Sequence, residues 1–178
     1  MREKEEIMLI KAAQADPQRF APLYELYFPL IFRFLARRTP QLELCADLTQ
    51  QTFLKAMLAL KAYRDHGVPF RAWLYRIALN EIRMYWRKRK EVVMDLTRAE
   101  AISVMEEAGI GEDDAQLKNL ARALETLDED RKKIMELRFM DGLSYAEIGA
   151  ILGIREDAAK MRTHRILSHL RILLAKRE

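Results

Sequence analysis

Cysteine is almost absent from the 178-residue chain, which contains Cys45 and no other. A single cysteine excludes an intramolecular disulfide and any zinc cluster built from several cysteines. Histidine is equally scarce, and its three positions are too dispersed to suggest a metal site: His66, His164 and His169. We therefore expect neither a bound metal nor a cofactor.

Long hydrophobic runs are also missing. The first residues, MREKEEIMLIKAA, lack the extended apolar core of a secretory signal. The richest apolar tract, 23–35, contains Pro29 and Arg33 and is too short to span a bilayer. We expect a cytoplasmic protein.

The residue patterns of an enzyme are absent too. The sequence contains no nucleotide-binding loop, no paired catalytic carboxylates and no nucleophile with a histidine partner. A helical nuclease would need metal carboxylates, and the only candidates, such as Glu43 and Asp47, lack a matching cluster. We expect a protein that is not an enzyme.

Charge is distributed in blocks. The formal net charge is +4 and the isoelectric point is about 9.2, but basic residues concentrate in 64–90 and again after Arg155. The tract 95–114 between them is strongly acidic. Two basic blocks around an acidic connector indicate two separate contacts with a polyanion.

Apolar residues recur at helical spacing along most of the chain, and strand signals are nearly absent. Asp16-Pro17 is a helix start, and Asp47 can open or re-cap a later helix. Pro29 should kink or split the helix that contains it. The prediction is an all-α fold with two small helical domains, 1–92 and 115–178, joined by a flexible acidic linker, 93–114.

Residues 141–165 have the layout of a helix-turn-helix. Ser144 and Glu147 have the spacing of a capping box, and Leu143 and Ile148 that of a hydrophobic staple. Gly153 permits the positive φ of a sharp turn before a second, basic helix. Such a second helix enters the DNA major groove, although similar residues also join plain antiparallel helices.

A second basic surface is predicted on the helix from about 70 to 90. At 100° per residue, one of its sides combines an aromatic ring, an amide and guanidinium groups: Trp73, Arg76, Asn80, Arg83 and Arg87. Such a surface suits unpaired nucleotides, whose bases stack on aromatic rings. The alternative is a solvated face with Trp73 packed against the neighbouring loop.

Several tracts together resemble the sigma factors of bacterial RNA polymerase, specifically the extracytoplasmic-function group. FAPLYELYFPLIFRFLARR, ADLTQQTFLKA and FRAWLYRIALNEIRMYWRKRK are similar to the family's promoter-melting domain. ALETLDEDRKKIMELRFMDGLSYAEIGAILGI is similar to its C-terminal domain. The resemblance implies an alternative sigma factor with core RNA polymerase and promoter DNA as partners. An anti-sigma protein is a further expected partner, and no small-molecule substrate or membrane insertion is expected.

The resemblance also implies three sets of site residues. The set expected on the clamp of the polymerase largest subunit is Asp47, Leu48, Gln50, Gln51 and Phe53. The set expected on the opened −10 strand is Arg64, Arg71, Trp73, Arg76, Asn80, Arg83 and Arg87. The set expected on the −35 duplex is Ser144, Tyr145, Arg155, Lys160, Arg162, His164 and Arg165.

The start of the second helix departs from the family pattern. Glu156 and Asp157 suit the helix dipole but repel nearby phosphate, and Met161 cannot donate the hydrogen bond of the usual serine. We therefore expect that the −35 element has an unusual sequence or that this helix binds it more weakly. Two other functions stay open: a helix-turn-helix regulator that binds palindromic duplex as a homodimer, and a helical interaction module without a DNA role.

Overall fold

The structure, a computed structural model, describes residues 3–64, 68–86, 98–110 and 114–175. Over these residues the backbone forms helices and turns without a strand, which confirms the expected all-α class. Contacts divide the chain into two compact units, Met1–Glu91 and Val92–Glu178. No helix in the described ranges is long and apolar enough to cross a membrane.

The first unit consists of four α-helices and two short 3₁₀ turns within its described residues. The helices are α1 (Glu3–Ala15), α2 (Ala21–Ala36), α3 (Leu42–Ala59) and α4 (Phe70–Trp86). The 3₁₀ turns, Pro17–Phe20 and Leu60–Ala62, precede α2 and follow α3. The predicted start at Asp16-Pro17 is confirmed, because the Asp16 carboxylate accepts the amide of Gln18 at 3.0 Å.

Two of the local alternatives expected for this unit, a split at Pro29 and a helix start at Asp47, are wrong. The helix α2 continues through Pro29 instead of splitting there. Pro29 and Glu25, whose carbonyl loses the usual bond, both lie in exposed positions where water can satisfy that carbonyl. The helix α3 begins at Leu42 rather than at Asp47, and Gln41 precedes it without a side-chain cap.

The core of the first unit lies where α2, α3 and α4 pack on one another. Phe34 of α2 meets Tyr75 of α4 edge to face, with ring centroids 4.9 Å apart, and both rings are fully buried. The helix α1 closes one end, because the Gln14 amide donates to the carbonyls of Leu60 (3.0 Å) and Tyr63 (2.9 Å). The turn ahead of α4 is thereby held in place.

The second unit contains five described α-helices: α5 (Arg98–Ala108), α6 (Asp114–Glu125), α7 (Glu129–Met135), α8 (Tyr145–Leu152) and α9 (Glu156–Ala175). A π-helical turn, Glu136–Met140, extends α7. The helix α9 packs on the other four, so its inner face forms the centre of this core. Asp128 caps α7, accepting the amide of Arg131 at 2.8 Å.

Helix α5 lies within the tract that the sequence suggested as a linker. Its Val104, Met105 and Ala108 are buried in the core of the second unit, whereas Glu106 is exposed. The acidic residues of this helix therefore lie on its outer side, and the apolar residues at i, i+1 and i+4 lie on its inner side, against the core. Residues 98–108 are part of a folded unit rather than of a flexible connector.

Candidate nucleic-acid and partner interfaces

The predicted −10 surface lies on one side of α4. Arg76, Asn80 and Arg83 are exposed along it, while Leu74, Ala78 and Ile82 are buried on the other side. The alternation follows the helical period of 3.6 residues, so the three polar side chains form one row. Arg87, the last member of the predicted set, lies outside the described residues.

Trp73 stands at the beginning of that row and is half-buried. Its ring centroid lies 4.9 Å from that of Tyr63 and 5.3 Å from that of Phe70. Tyr63 is in turn fixed by its hydroxyl, which donates to the carbonyl of Val68 at 3.0 Å. The indole is thus held by the preceding loop, yet part of its surface remains open beside the polar row.

The two other predicted arginines of this set have structural contacts of their own. Arg64 is exposed, and its Nη1 donates to the carbonyls of Lys61 (2.7 Å) and Tyr63 (2.9 Å). Arg71 is half-buried in the first turn of α4. Both lie close in sequence to Trp73, but Arg64 also closes the 3₁₀ turn that carries Tyr63.

Sequence reasoning missed Met84 on the same side of α4. It is exposed, and its place four residues after Asn80 puts it next to that amide on the helix surface. Its spacing from Asn80 could have revealed it, because an apolar residue at i+4 from an exposed polar residue lies on the same exposed side of the helix. The exposed row therefore ends in an apolar side chain.

The predicted polymerase-binding set is separated by the structure. Asp47, Gln50 and Gln51 are exposed on one side of α3, whereas Leu48 and Phe53 are buried. The Phe53 ring packs among three aromatic neighbours, and its centroid distances are 6.5 Å to Phe20, 4.7 Å to Tyr24 and 6.5 Å to Phe28. Leu48 and Phe53 are core residues that anchor the helix and do not lie on its outer surface.

Two leucines that the sequence analysis left out lie beside the exposed members of this set. Leu54 is 53% exposed and Leu58 is 72% exposed. With Asp47 and Gln51 they follow the steps i, i+4, i+7 and i+11, which fall on one side of a helix. We name the surface of Asp47, Gln50, Gln51, Leu54 and Leu58 the α3 stripe.

The helix-turn-helix is confirmed in geometry. Glu147 donates its amide to Ser144 Oγ at 3.2 Å, and the Ser144 amide donates to Glu147 Oε2 at 2.8 Å, completing the capping box. Gly153 ends α8 with φ of 70°. Leu143 and Ile148 are fully buried, as a hydrophobic staple requires.

The basic residues of α9 do not share one side. Lys160, His164 and Arg165 are exposed and lie within about 140° of arc by the helical period. Arg162 is exposed about 60° beyond Arg165 around the helix, and both arginines line a cavity of about 410 Å³ together with Asp128 and Asp130. Arg155 is exposed at the turn before α9. Arg162 and Arg165 therefore both face the acidic start of α7, whereas Lys160 and His164 lie apart from it.

Tyr145 lies at the start of α8 and is half-buried in a network that joins α5 to the helix-turn-helix. Its hydroxyl donates to Glu107 Oε1 at 2.5 Å, and the Arg138 guanidinium stacks over its ring at 4.7 Å. Arg138 also bonds to Glu107 Oε2 at 3.2 Å and to the carbonyl of Leu143 at 3.3 Å. Burial, followed by the Glu107 carboxylate, raises the pKa of Tyr145, so the phenol remains a donor.

Neither Glu107 nor Arg138 was a sequence candidate. Glu107 belongs to the tract expected to be a linker, and its role depends on the folding of that tract as α5. Glu107 binds Tyr145, the first residue of α8, directly. Through Arg138 it also holds Leu143, the residue before the cap. The network thus determines the direction in which the helix-turn-helix begins.

Comparison with known proteins gives two family matches. The Sigma-70 region 2 model matches residues 23–92, and the Sigma-70 region 4 model matches residues 117–170. The RNA polymerase sigma factor CarQ of Myxococcus xanthus is 33% identical over 89% of this chain and 91% of its own.

Two solved structures are similar over most of the chain. CnrH in complex with the cytosolic domain of CnrY has a TM-score of 0.64 and 27% identity, and the match covers 96% of this chain and 97% of that one. RpoE of Bartonella quintana, in complex with the anti-sigma factor NepR, has a TM-score of 0.57 and 25% identity, covering 88% and 96%. The matches extend over both compact units.

Proposed function

Because the chain belongs to the extracytoplasmic-function group of RNA polymerase sigma factors, we propose that its two units bind promoter DNA in two different states. The chain is an alternative sigma factor that directs transcription initiation. In the proposal, residues 1–92 bind core polymerase and the opened −10 element. Residues 115–178, together with α5, bind the −35 element as duplex, and the chain between α4 and α5 connects the two units.

The exposed row of α4 supports the first part of this proposal. A ring held at its edge, followed by an amide and two guanidinium groups, offers stacking, hydrogen bonds and phosphate attraction along one line. Reading an extruded base at such a surface offsets the few kcal/mol that unstacking costs. This row, Trp73 with Arg76, Asn80 and Arg83, is the single observation on which the proposal depends.

The α3 stripe is the proposed contact with the clamp of the polymerase largest subunit. Asp47, Gln50 and Gln51 supply polar contacts, and Leu54 and Leu58 supply apolar area that is otherwise exposed to water. Leu48 and Phe53 serve this contact indirectly, because their burial fixes the rotation of the helix.

The proposed −35 contact combines Lys160, His164 and Arg165 of α9 with Ser144 and Arg155 at its edges. Tyr145 is proposed to act through its hold on the start of α8, since its hydroxyl is already bonded to Glu107. Arg162 is proposed for phosphate at the flank of the groove, because it lies to one side of the other cations.

Further partners follow from the same family membership. RpoE of Bartonella quintana was solved with an anti-sigma factor, and we propose that this chain also has one. The chain itself catalyses no reaction in this proposal, since RNA synthesis belongs to the polymerase. Its proposed place of action is the cytoplasm, where polymerase and promoter DNA meet.

The test uses core polymerase, the full chain and genomic promoter fragments, with transcripts sequenced to locate their starts. Specific starts are expected only with the chain present. Tight binding to palindromic duplex without polymerase would instead indicate a homodimeric regulator.

The α4 row is tested at the promoter so identified. Asn80→Ala with Arg83→Ala should reduce permanganate reactivity of −10 thymines at least tenfold, because both side chains are exposed and meet only the opened strand. Polymerase binding should be unchanged. Arg33→Ala, an exposed arginine on α2, is the matched control. Equal loss of melting and polymerase binding would contradict the assignment of this row.

A further inference from the structure

The helix α9 exposes an apolar side chain at the centre of its outer surface. Met161 is 54% exposed. Ala159, Thr163, Ile166 and Leu170 form the buried stripe of the same helix. At 100° per residue, Met161 lies about 180° from the middle of that stripe. Its thioether is therefore the part of the helix surface farthest from the core of the second unit.

Cationic residues lie on both sides of Met161. Lys160 and His164 are on one side and Arg165 is on the other, all three exposed. A helix in the major groove places its flanking cations near the two phosphate backbones and its central residue near the base edges. From Lys160 onward, beyond the acidic first turn, the charge pattern of α9 therefore matches a groove, with Met161 directed at its floor.

The chemistry of Met161 limits what it can read there. A thioether donates no proton to a base acceptor, carries no charge for a phosphate and is itself only a weak acceptor, so hydrogen bonds contribute little to what Met161 can read. Thymine, however, presents a 5-methyl group in the major groove, and apolar side chains distinguish it from cytosine by contact. Methionine is flexible and polarisable and fills such irregular apolar contacts well.

We propose that Met161 is a specificity-determining residue that packs on the 5-methyl group of a thymine in the −35 element. The proposal rests on the proposed function of the second unit as a duplex reader. The proposal thus assigns a base preference to Met161, which stands where the family usually has a serine that can donate a hydrogen bond.

The test replaces each thymine of the −35 element by deoxyuridine, which removes only the methyl group. The probe is a fluorescein-labelled duplex from the promoter that the reconstituted holoenzyme transcribes most strongly. Burial of one methyl contributes about 0.8 kcal/mol, which is about fourfold in affinity. Wild-type holoenzyme should lose about fourfold at one or two positions, and Met161→Ala holoenzyme should lose nothing further there.

The matched control is Ile172→Ala. Ile172 is also 54% exposed on α9, three turns toward its C-terminal end. This variant should keep the full sensitivity to deoxyuridine. Because both side chains are exposed, neither substitution is expected to change the unfolding midpoint appreciably.

Four results would overturn the proposal. A wild-type holoenzyme indifferent to every deoxyuridine, or an element without thymine, would remove Met161 as a reader while leaving salt-dependent duplex binding, and thus the proposed function, intact. Equal sensitivity in Met161→Ala would assign the methyl contact to another residue. If the wild-type holoenzyme did not bind the −35 duplex at all, the proposed function of the second unit would be overturned as well.

Discussion

Gly149 in α8 occupies a place where a methyl group has no room. A Cβ there would lie 2.7 Å from the carbonyl oxygen of Ile154, which belongs to the turn between α8 and α9. That turn is fixed, since the Ile154 amide donates to the Gly149 carbonyl at 2.9 Å. The oxygen cannot retreat without breaking this bond.

Gly149→Ala should therefore destabilise the chain by up to about 2 kcal/mol. Helix propensity alone would stabilise it by up to about 1 kcal/mol, but overpacking against rigid backbone costs about 1–3 kcal/mol and is the larger effect. Chemical denaturation measures the sign. Gly153→Ala is the comparison, because its cost of about 1 kcal/mol arises from a positive φ with open space around it. A stabilised Gly149→Ala variant would contradict the clash.

Tyr27 gives the first unit a pH dependence in the alkaline range. Burial is the largest cause of its raised pKa, followed by the hydrogen bond from its hydroxyl to Glu6 of α1. The folded chain then holds the phenolic proton more tightly than the unfolded chain. Its contribution to stability is complete below the unfolded pKa of about 10 and is lost as the pH rises above it.

Tyr27→Phe should cost about 1 kcal/mol near neutral pH, where it removes one hydrogen bond. One pH unit above the unfolded pKa the wild-type chain loses about 1.4 kcal/mol that the variant does not lose. The difference in free energy of unfolding should therefore approach zero by about pH 11, as measured by denaturation at several pH values. A constant difference across that range would contradict the role given to the Glu6 bond.

At the scale of the element, the α3 stripe makes a prediction that separates binding from folding. Leu54→Gln with Leu58→Gln should weaken core-polymerase binding by about 1–2 kcal/mol per leucine, roughly 5–30-fold each. Stability should change by less than about 0.5 kcal/mol, because both side chains are exposed. Competition for core polymerase against labelled wild-type chain measures the first effect.

Leu42→Gln is the matched control for that experiment. Leu42 is 69% exposed on the same helix but lies on the side opposite the α3 stripe. It should compete like wild type. A comparable loss at Leu42 would mean that general surface hydrophobicity, rather than the α3 stripe, determines polymerase binding.

The elements also differ in how well sequence could predict them. The caps at Asp16, Asp128 and Ser144 were predictable, since each signal acts within three residues, and the structure has each of the three hydrogen bonds. The start of α3 was not, because Gln41 makes no side-chain bond and Asp47 offers a false capping signal. Helix α5 could not be predicted because its acidic residues suggested a linker. Only its contact with the core of the second unit shows that its other side is apolar and buried.

The candidate sites show the same division between local and tertiary information. Helical period placed Arg76, Asn80 and Arg83 on one side of α4, and the structure agrees. Period alone could not tell that Phe53 is enclosed by three rings, or that Arg162 faces the acidic start of α7. Those outcomes depend on neighbours from distant parts of the chain.

At the scale of the whole molecule, the two surfaces proposed to bind DNA belong to separate compact units of one chain. Residues 87–97 join α4 to α5, and a fully extended chain of that length reaches at most about 40 Å. A covalent limit of this kind bounds the separation between the −10 and −35 elements that one molecule can bind together. In the proposed function, binding at both elements therefore depends on the spacing between them.

Inserting 5 bp between the elements should reduce specific initiation more than tenfold, because it adds about 17 Å and turns the −35 element by about half a helical turn. A 10-bp insertion restores the rotation but adds about 34 Å, so it should not restore initiation. Transcript yield from the reconstituted holoenzyme measures both, with the natural spacing as reference. Recovery at 10 bp would show that rotational phase alone matters, and undiminished initiation at 5 bp would show that the two units do not bind one promoter simultaneously.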